Sequence, residues 1–414
     1  MKSYNTTNVR NVVLLGSTKA GKTTLVESML YEGKVIDRRG AVENKNTVSD
    51  NTEIEQIYQR SIYSTLLYTE FMDNKLNFID TPGSDDFVGG VISAFSVCEA
   101  GVMLVNATQG VEVGTDIFAR YAKQYNKPLI FAVNQLDSEK QDWHATIDSM
   151  RAMLGKRMVL IQMPVNPGTG FDTFIDVLTN KCYHFKDENG TREEMPIPEE
   201  LADEVAQMRQ NMMEVAAEGT EELMEIFFEK GELTIDQMRA GLSAGIAAGT
   251  AYPVFCLSAK RDIGVKRLME FIINVVPAPS KKEAKLKNGG TVKFDASAPT
   301  SLFVFKTAQE QHLGDVTYFK VITGTLKEGD DLINPETGNK ERISAIYAVA
   351  GKKREKVSEV HAGDIACTVK LKSVKSNQTL CAPGCDNVYE PTQYPAPKYR
   401  TAIKAKEEKD EEKL

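Results

Sequence analysis

Histidine and tryptophan are scarce in this chain: 414 residues hold four of the first and one of the second. There is also no apolar run near the roughly 18 residues that a membrane-crossing helix needs, so no membrane span is expected. The first ten residues are polar, and the run behind them, Val12, Val13, Leu14 and Leu15, is too short for the apolar centre of a signal peptide. A cytoplasmic protein is expected. Six scattered cysteines, Cys98, Cys182, Cys256, Cys367, Cys381 and Cys385, exclude a disulfide scaffold. Cys381-Ala-Pro-Gly-Cys385 lacks a second pair or a nearby histidine, making it a poor zinc site, and it reads as a turn with two reduced thiols. His144, His184, His312 and His361 fall at no motif and read as structural or surface residues. Trp143 reads as partly buried on a helix.

With 42% hydrophobic and 26% charged residues, the chain is neither disordered nor fibrous, and its length implies two or three domains. A net charge of −8 argues against coating nucleic acid through overall charge. The charge is uneven, however: residues 281–414 carry 23 basic and 19 acidic side chains, net +4, which leaves −12 to residues 1–280. The break coincides with Val275-Val-Pro-Ala-Pro-Ser280, followed by Lys281, Lys282, Lys285, Lys287 and Gly289-Gly290, which reads as a linker.

Before the break, strand-like runs at Asn11–Leu15, Leu76–Ile79, Gly101–Asn106, Pro128–Asn134 and Tyr252–Leu257 alternate with helical periodicity. That alternation implies an α/β domain over 1–280 with a mostly parallel, doubly wound sheet. Residues of about 160–250 interrupt it with a mostly helical insertion, in which Thr220 and Thr234/Gln237 fit as caps. Met208, Met212, Met213, Met224 and Met238 recur there at helical spacing, which suits either core packing or a methionine-rich groove. Eleven acidic residues from Glu199 to Glu232, against Arg209 and Lys230, suit either a solvated face or a basic protein partner. After the break, short alternating stretches such as Ser301–Lys306, Val316–Val321, Ile343–Val349 and Ile365–Lys370 imply an all-β barrel over 281–392. Residues 393–414 look like the start of a third domain, with a strand over Tyr394–Lys406 and a helix from Glu407.

Four strand ends carry chemistry. Gly16-Ser17-Thr18-Lys19-Ala20-Gly21-Lys22-Thr23 fits the phosphate-loop pattern, with a strand before it and a helix from Thr24 behind it. Its amides can turn inward around phosphates, Lys22 adds a positive charge, and Thr23 offers a hydroxyl to Mg²⁺. Asp80-Thr81-Pro82-Gly83 places a carboxylate to hold the metal through water and a glycine amide to sense a γ-phosphate, although such a tetrapeptide alone also fits a turn. In Asn134-Gln135-Leu136-Asp137, the last carboxylate can accept two hydrogen bonds from guanine and reject adenine. Ser258-Ala259-Lys260 can present a backbone amide to the guanine oxygen. Together, each at the carboxyl end of a strand where open α/β sheets bind ligands, they point to GTP or GDP with Mg²⁺ as cofactors.

These residues resemble the translational GTPases, and the likeness is greatest to the elongation factor G family. The insertion shares it through Glu214-Val-Ala-Ala-Glu-Gly-Thr-Glu-Glu-Leu-Met224 and Glu232-Leu-Thr-Ile-Asp236, and the barrel through Gly314-Asp-Val-Thr-Tyr-Phe-Lys-Val-Ile-Thr-Gly-Thr-Leu-Lys-Glu-Gly-Asp330. The resemblance implies a monomeric factor that promotes ribosomal translocation. Its partners would be the ribosome, through ribosomal RNA and stalk proteins, and the tRNA–mRNA complex through three further family domains absent from this sequence. A ribosome-protection or release-type factor, or a non-catalytic GTP switch on the ribosome, are the alternatives. In the barrel, Lys352, Lys353, Arg354 and Lys356 read as a loop able to touch RNA phosphates, or as a solvated turn.

Three positions depart from the family pattern, all around the γ-phosphate. Ser84 stands where the family's histidine orients the attacking water, and a short hydroxyl reaches less far, so weakened hydrolysis is expected. Arg60-Ser61-Ile62-Tyr63 places a tyrosine where the family's threonine meets Mg²⁺, with Ser64 or Thr65 as substitutes after a register shift. Lys19 replaces an aspartate thought to hold a monovalent cation, and its ammonium can serve as a built-in cation.

Overall fold

The structure is a computed structural model that describes residues 2–187, 190–310, 313–397 and 399–409. His312 therefore lies outside the described residues, as does most of the helix expected from Glu407.

Strand β1 (Val9–Leu15) feeds α1 (Lys22–Glu32) through the phosphate loop, and a long connection containing α2 (Glu53–Tyr58) leads to the hairpin β2 (Thr65–Phe71) and β3 (Asn74–Asp80). Next come α3 (Val88–Val97), β4 (Ala100–Asn106), α4 (Val113–Gln124), β5 (Leu129–Asn134), α5 (Trp143–Leu154) and β6 (Met158–Leu160). Strands β7 (Gln162–Pro164), β8 (Thr173–Asp176), β9 (Lys181–Phe185) and β10 (Arg192–Met195) precede helices α6 (Ala202–Ala217), α7 (Glu221–Lys230) and α8 (Ile235–Ala248). The domain closes with β11 (Tyr252–Cys256) and α9 (Val265–Val275).

The main sheet has the order β2-β3-β1-β4-β5-β11-β6 and is parallel except for β2. Strands β4 and β5 are apolar on both faces and buried throughout, as a sheet covered on both sides requires, and β3 is equally buried but turns Lys75 and Asn77 towards the all-β domain. The cores above and below it are separate, one around Leu14, Phe78, Phe255 and Phe271, the other around Leu15, Phe95, Phe118 and Phe131.

The insertion is less helical than expected. Its first part, β7 to β10, is a four-stranded antiparallel sheet. The helices follow where the caps predict: Thr220 accepts from the Leu223 amide, and Thr234 with Gln237 forms a reciprocal capping box. The methionines serve packing: Met212 and Met238 are fully buried and Met208, Met213 and Met224 lie against the same core. On α7, the Glu221, Glu222, Glu225 and Glu229 side chains accompany an 80%-exposed Phe228.

The expected linker is ordered as a short hairpin, β12 (Glu283–Lys285) with β13 (Thr291–Lys293). The all-β domain then runs through β14 (Ser301–Glu310), β15 (Gly314–Thr323), β16 (Thr325–Lys327), β17 (Asp331–Ile333), β18 (Lys340–Arg342), β19 (Ile346–Ala350), β20 (Lys353–Val357), β21 (Glu359–His361), β22 (Ile365–Val369) and β23 (Thr379–Cys381). Its eight-stranded antiparallel sheet has the order β18-β17-β23-β14-β15-β22-β19-β20, with β16 and β21 paired beside it. The basic cluster is no loop: Lys353, Arg354 and Lys356 lie on β20, where Arg354 pairs with Glu310 and Lys356 with Glu328. The lysine-rich sequence mimics a turn, but edge strands commonly carry lysine. The described residues of 394–406 form no strand.

The two domains meet through buried polar contacts. Lys75 on β3, 1% exposed, donates to both Asp364 oxygens at 2.8 Å, and Asn77 adds a third bond at 2.8 Å. Lys320 pairs with Glu99 and donates to the Val97 carbonyl at 2.7 Å. Lys306 donates to the Ser64 carbonyl at 2.6 Å, immediately before β2. Among the described residues, no helix is long and apolar enough to cross a membrane.

Candidate nucleotide and metal site

All four sequence motifs converge at the carboxyl edge of the main sheet. Parallel pairing sets this: β1 neighbours β3 and β4, β4 neighbours β5, and β5 neighbours β11, so the loops behind them share one edge.

Gly16, Ser17 and Ala20 are buried, Thr18 and Lys19 are exposed, and the loop turns through a left-handed Lys19 at φ 68°. Lys22 is 5% exposed and donates back to the loop, to the carbonyls of Gly16 at 2.7 Å and Ser17 at 3.1 Å. Burial pulls its ammonium down to about 8, against the opposing charges of Asp80, Asp50 and Glu112. Gly21 has φ 95°, and a Cβ there would lie 2.3 Å from the Asn134 amide nitrogen, so only glycine fits.

Asn134 ties three motifs together. Its Nδ2 donates to the Ala20 carbonyl at 2.9 Å, and its Oδ1 accepts from the Ala259 amide at 2.9 Å. Gln135 adds a bond to the Lys19 carbonyl at 2.8 Å. Beside them opens a cavity of about 450 Å³ lined by Thr24, Asp137, Ala259 and Lys260, with Arg39 and Gly40 forming the far wall. Asp137 is half-buried at its edge, while Ser258 is fully buried and caps its own turn by accepting from the Arg261 amide.

The oxygen-rich end lies around Thr23. Its hydroxyl donates to Asp80 Oδ2 at 2.9 Å and sits 3.3 Å from the Ser61 hydroxyl. Ser49 also donates to Asp80 Oδ2, at 2.7 Å, and Asp50 Oδ2 is 3.5 Å from Thr23 Oγ1. Asp80 and Asp50 are 0% and 4% exposed, and the Oδ1 of each has no hydrogen-bond partner. Burial, with Asp80's charge acting on Asp50, pushes both carboxyls up. Two buried carboxylates with orphaned oxygens beside a hydroxyl form a hard-oxygen donor set, which suits Mg²⁺ and which a divalent charge would stabilise in ionised form. Thr23 and Asp80 are the sequence-predicted members; Asp50, Ser49 and Ser61 are additions.

The connection from residue 33 to 64 is held by carboxylates that sequence reading missed. Glu27 on α1 accepts from the Gly40 amide at 2.7 Å and the Val48 amide at 2.6 Å. Glu55, 1% exposed, completes a capping box with Thr52 and accepts from the Ile62 and Tyr63 amides, both at 3.1 Å. Tyr63 itself is 53% exposed, so Ser61 is the nearest hydroxyl of this segment to Thr23. Ser64 instead offers its carbonyl to Lys306, and Thr65 donates to the Ser49 carbonyl at 3.3 Å.

Gly83 packs directly on the phosphate loop: a Cβ there would lie 2.6 Å from both Lys22 Nζ and the Thr18 amide. The next residue, Ser84, donates to Asp86 at 3.1 Å, within its own turn.

The family model for the elongation factor Tu GTP binding domain matches residues 7–278, and that for elongation factor G domain 2 matches residues 299–383. Among solved structures, a crystal structure of a Thermus thermophilus protein is similar with a TM-score of 0.82 at 28% identity, covering 92% of this chain and 55% of that one. The chain thus spans about half the length of that relative.

Proposed function

The chain belongs to the translational GTPase family defined by the elongation factor Tu GTP binding domain, and on that premise we propose a factor of the elongation factor G type that promotes ribosomal translocation with weakened or altered GTP hydrolysis. The observation that carries the nucleotide part is Asn134, whose two bonds join the phosphate loop to the Ala259 turn and so fix phosphate and base readers relative to each other. In this reading the loop amides of Gly16 to Thr24 and the Lys22 ammonium bind the phosphates, Asp137 reads the guanine edge, and Ala259 meets its oxygen. Lys22 exchanges its bonds to the loop carbonyls for phosphate oxygens. Thr23 and Asp80, directly or through water, hold Mg²⁺, which supplies charge neutralisation at the phosphates when bound. Gly83 approaches Lys22 closely enough for its amide to report a γ-phosphate.

The altered hydrolysis rests on Ser84. Its hydroxyl is engaged with Asp86, so the residue at this position brings no imidazole to the attacking water. Water-positioning and general acid–base groups contribute about 10²–10⁴-fold. Lys19 is exposed on the loop, and its ammonium is our proposed stand-in for a monovalent cation. For partners, the acidic α7 suits a basic protein surface on the ribosome, and ribosomal RNA suits the net positive barrel half.

The test is single-turnover GTP hydrolysis on ribosomes by the parent and by Ser84→His. The expected outcome is slow hydrolysis in the parent and a rise of at least about tenfold in the variant. Equal rates in both would sink the assignment of Ser84. Tight GTP binding with no tRNA movement would favour a non-catalytic switch.

A further inference from the structure

The Cys381–Cys385 turn plays no part in the nucleotide chemistry, yet its geometry is unlike that of the other thiols. Cys98, Cys182, Cys256 and Cys367 are buried singly. Cys381, on β23, is fully buried, and its thiol donates to the Asn387 carbonyl at 3.2 Å. Cys385 is partly exposed and lies close enough across the turn to raise the Cys381 thiol. The turn between them is tight: the Cys385 amide donates to the Ala382 carbonyl at 3.0 Å, and Gly384 takes φ 84° after Pro383. A reachable sulfur therefore stands against a sheltered one.

We propose that Cys381 and Cys385 form a reversible thiol–disulfide pair, a modification site in the barrel domain that responds to hydroperoxides. Cys385 reacts first because it alone combines solvent access with a neighbouring thiol. Its thiolate attacks the peroxide, an S–O bond forms as the O–O bond breaks, and the alcohol or water leaves with a proton, giving a sulfenic acid. The Cys381 sulfur then attacks Cys385, the S–S bond forms as the S–O bond breaks, and the departing hydroxide leaves as water with the Cys381 proton. Two thiols are oxidised by two electrons and one peroxide is reduced. Burial and the adjacent Cys385 raise the Cys381 thiol, and its fully buried position keeps peroxide away, so Cys381 is not itself the point of first attack. A dithiol reductant reverses the bond by exchange.

The turn also leads into a structural strap. Tyr389 bonds through its hydroxyl to Ser301 and through its amide to Thr379 Oγ1 at 3.0 Å, and the Glu390 amide reaches the Lys285 carbonyl at 3.0 Å. Closing the disulfide would fix the entry to the segment that ties the barrel to the hairpin joining it to the nucleotide domain.

The experiment treats the full chain with graded hydrogen peroxide, blocks residual thiols with N-ethylmaleimide, and analyses the tryptic peptide 376–398, which contains both cysteines and no internal Lys or Arg. The expected product carries no label, is lighter by two hydrogens, and regains two labels after dithiothreitol. A peptide still carrying two labels when the exposed Met72 of the same sample is oxidised would overturn the proposal, as would accumulation of sulfinic acid at Cys385. In Cys381→Ser, dimedone should trap Cys385 as its sulfenic acid; no adduct would refute the order of attack. In Cys385→Ser, which changes a partly exposed position and leaves the core intact, Cys381 should keep its label throughout.

Discussion

Replacing Lys75 by methionine tests whether the interface between the domains is held by charge. Methionine keeps most of the apolar stem but removes an ammonium that is 1% exposed and donates to both oxygens of Asp364 at 2.8 Å. Asp364 would stay buried with only the Asn77 amide and the Ile365 amide, each at 2.8 Å, as donors. Breaking a buried pair from one side costs about 3–5 kcal/mol because the remaining charge is uncompensated. With two donors left, the lower end, about 3 kcal/mol, is expected. Urea denaturation followed by the fluorescence of Trp143, the single tryptophan, reads the nucleotide domain, and far-ultraviolet dichroism reads both. Adding Asp364→Leu to Lys75→Met should recover more than half of the loss, since an apolar pair carries no stranded charge. A loss below about 1 kcal/mol for Lys75→Met would place the pair with ordinary surface ion pairs and refute the reasoning.

Three further outcomes follow from the same geometry. Asn134→Ala removes both of its bonds, at about 0.5–1.5 kcal/mol each plus the cost of stranding the Ala20 carbonyl and Ala259 amide, so GDP affinity should fall about 30-fold or more; a fluorescent-GDP titration within about threefold of the parent would contradict it. Asp262 is pushed up to about 8 by burial and then by the Glu32 charge, so the fold favours its neutral form. The unfolded chain ionises it near pH 4, and its contribution to stability, complete below that pH, is lost as pH rises towards about 8; Asp262→Asn should flatten thermal stability between about pH 5 and 8, and an unchanged slope would dismiss the assignment. Lys19→Asp should make GTP hydrolysis depend on K⁺; if parent and variant respond alike when a larger cation replaces K⁺, the built-in cation is wrong.

The phosphate loop, the Asp80 turn and the Asn134 and Ser258 turns were readable because each is a short chemical pattern following a strand whose apolar run is itself unmistakable. Asp50 was not. It lies in the connection from 33 to 64, which has little periodicity, and reaches Thr23 because Glu27 on α1 pins that connection from outside it and Glu55 folds it back from within. The antiparallel half of the insertion escaped because its strands are three to five residues long, too short for alternation to stand out. Strand β20 escaped for the opposite reason: Lys353-Arg-Glu-Lys356 is so charged that it imitates a loop, and only Glu310 and Glu328, far away in sequence, show why it pairs as an edge.

Lys306 gives the barrel a hand on the nucleotide segment. Its bond to the Ser64 carbonyl lies one residue before Thr65, the residue that faces Asp80 across the β2–β3 ladder. Any force that draws the barrel away from the sheet therefore pulls on the strand opposite Asp80. By thermodynamic reciprocity, whatever the nucleotide does to this segment is returned, in equal free energy, as a preference for one barrel orientation. A load on the barrel would then be felt as a change in nucleotide affinity, making the domain interface a transmission as well as a joint.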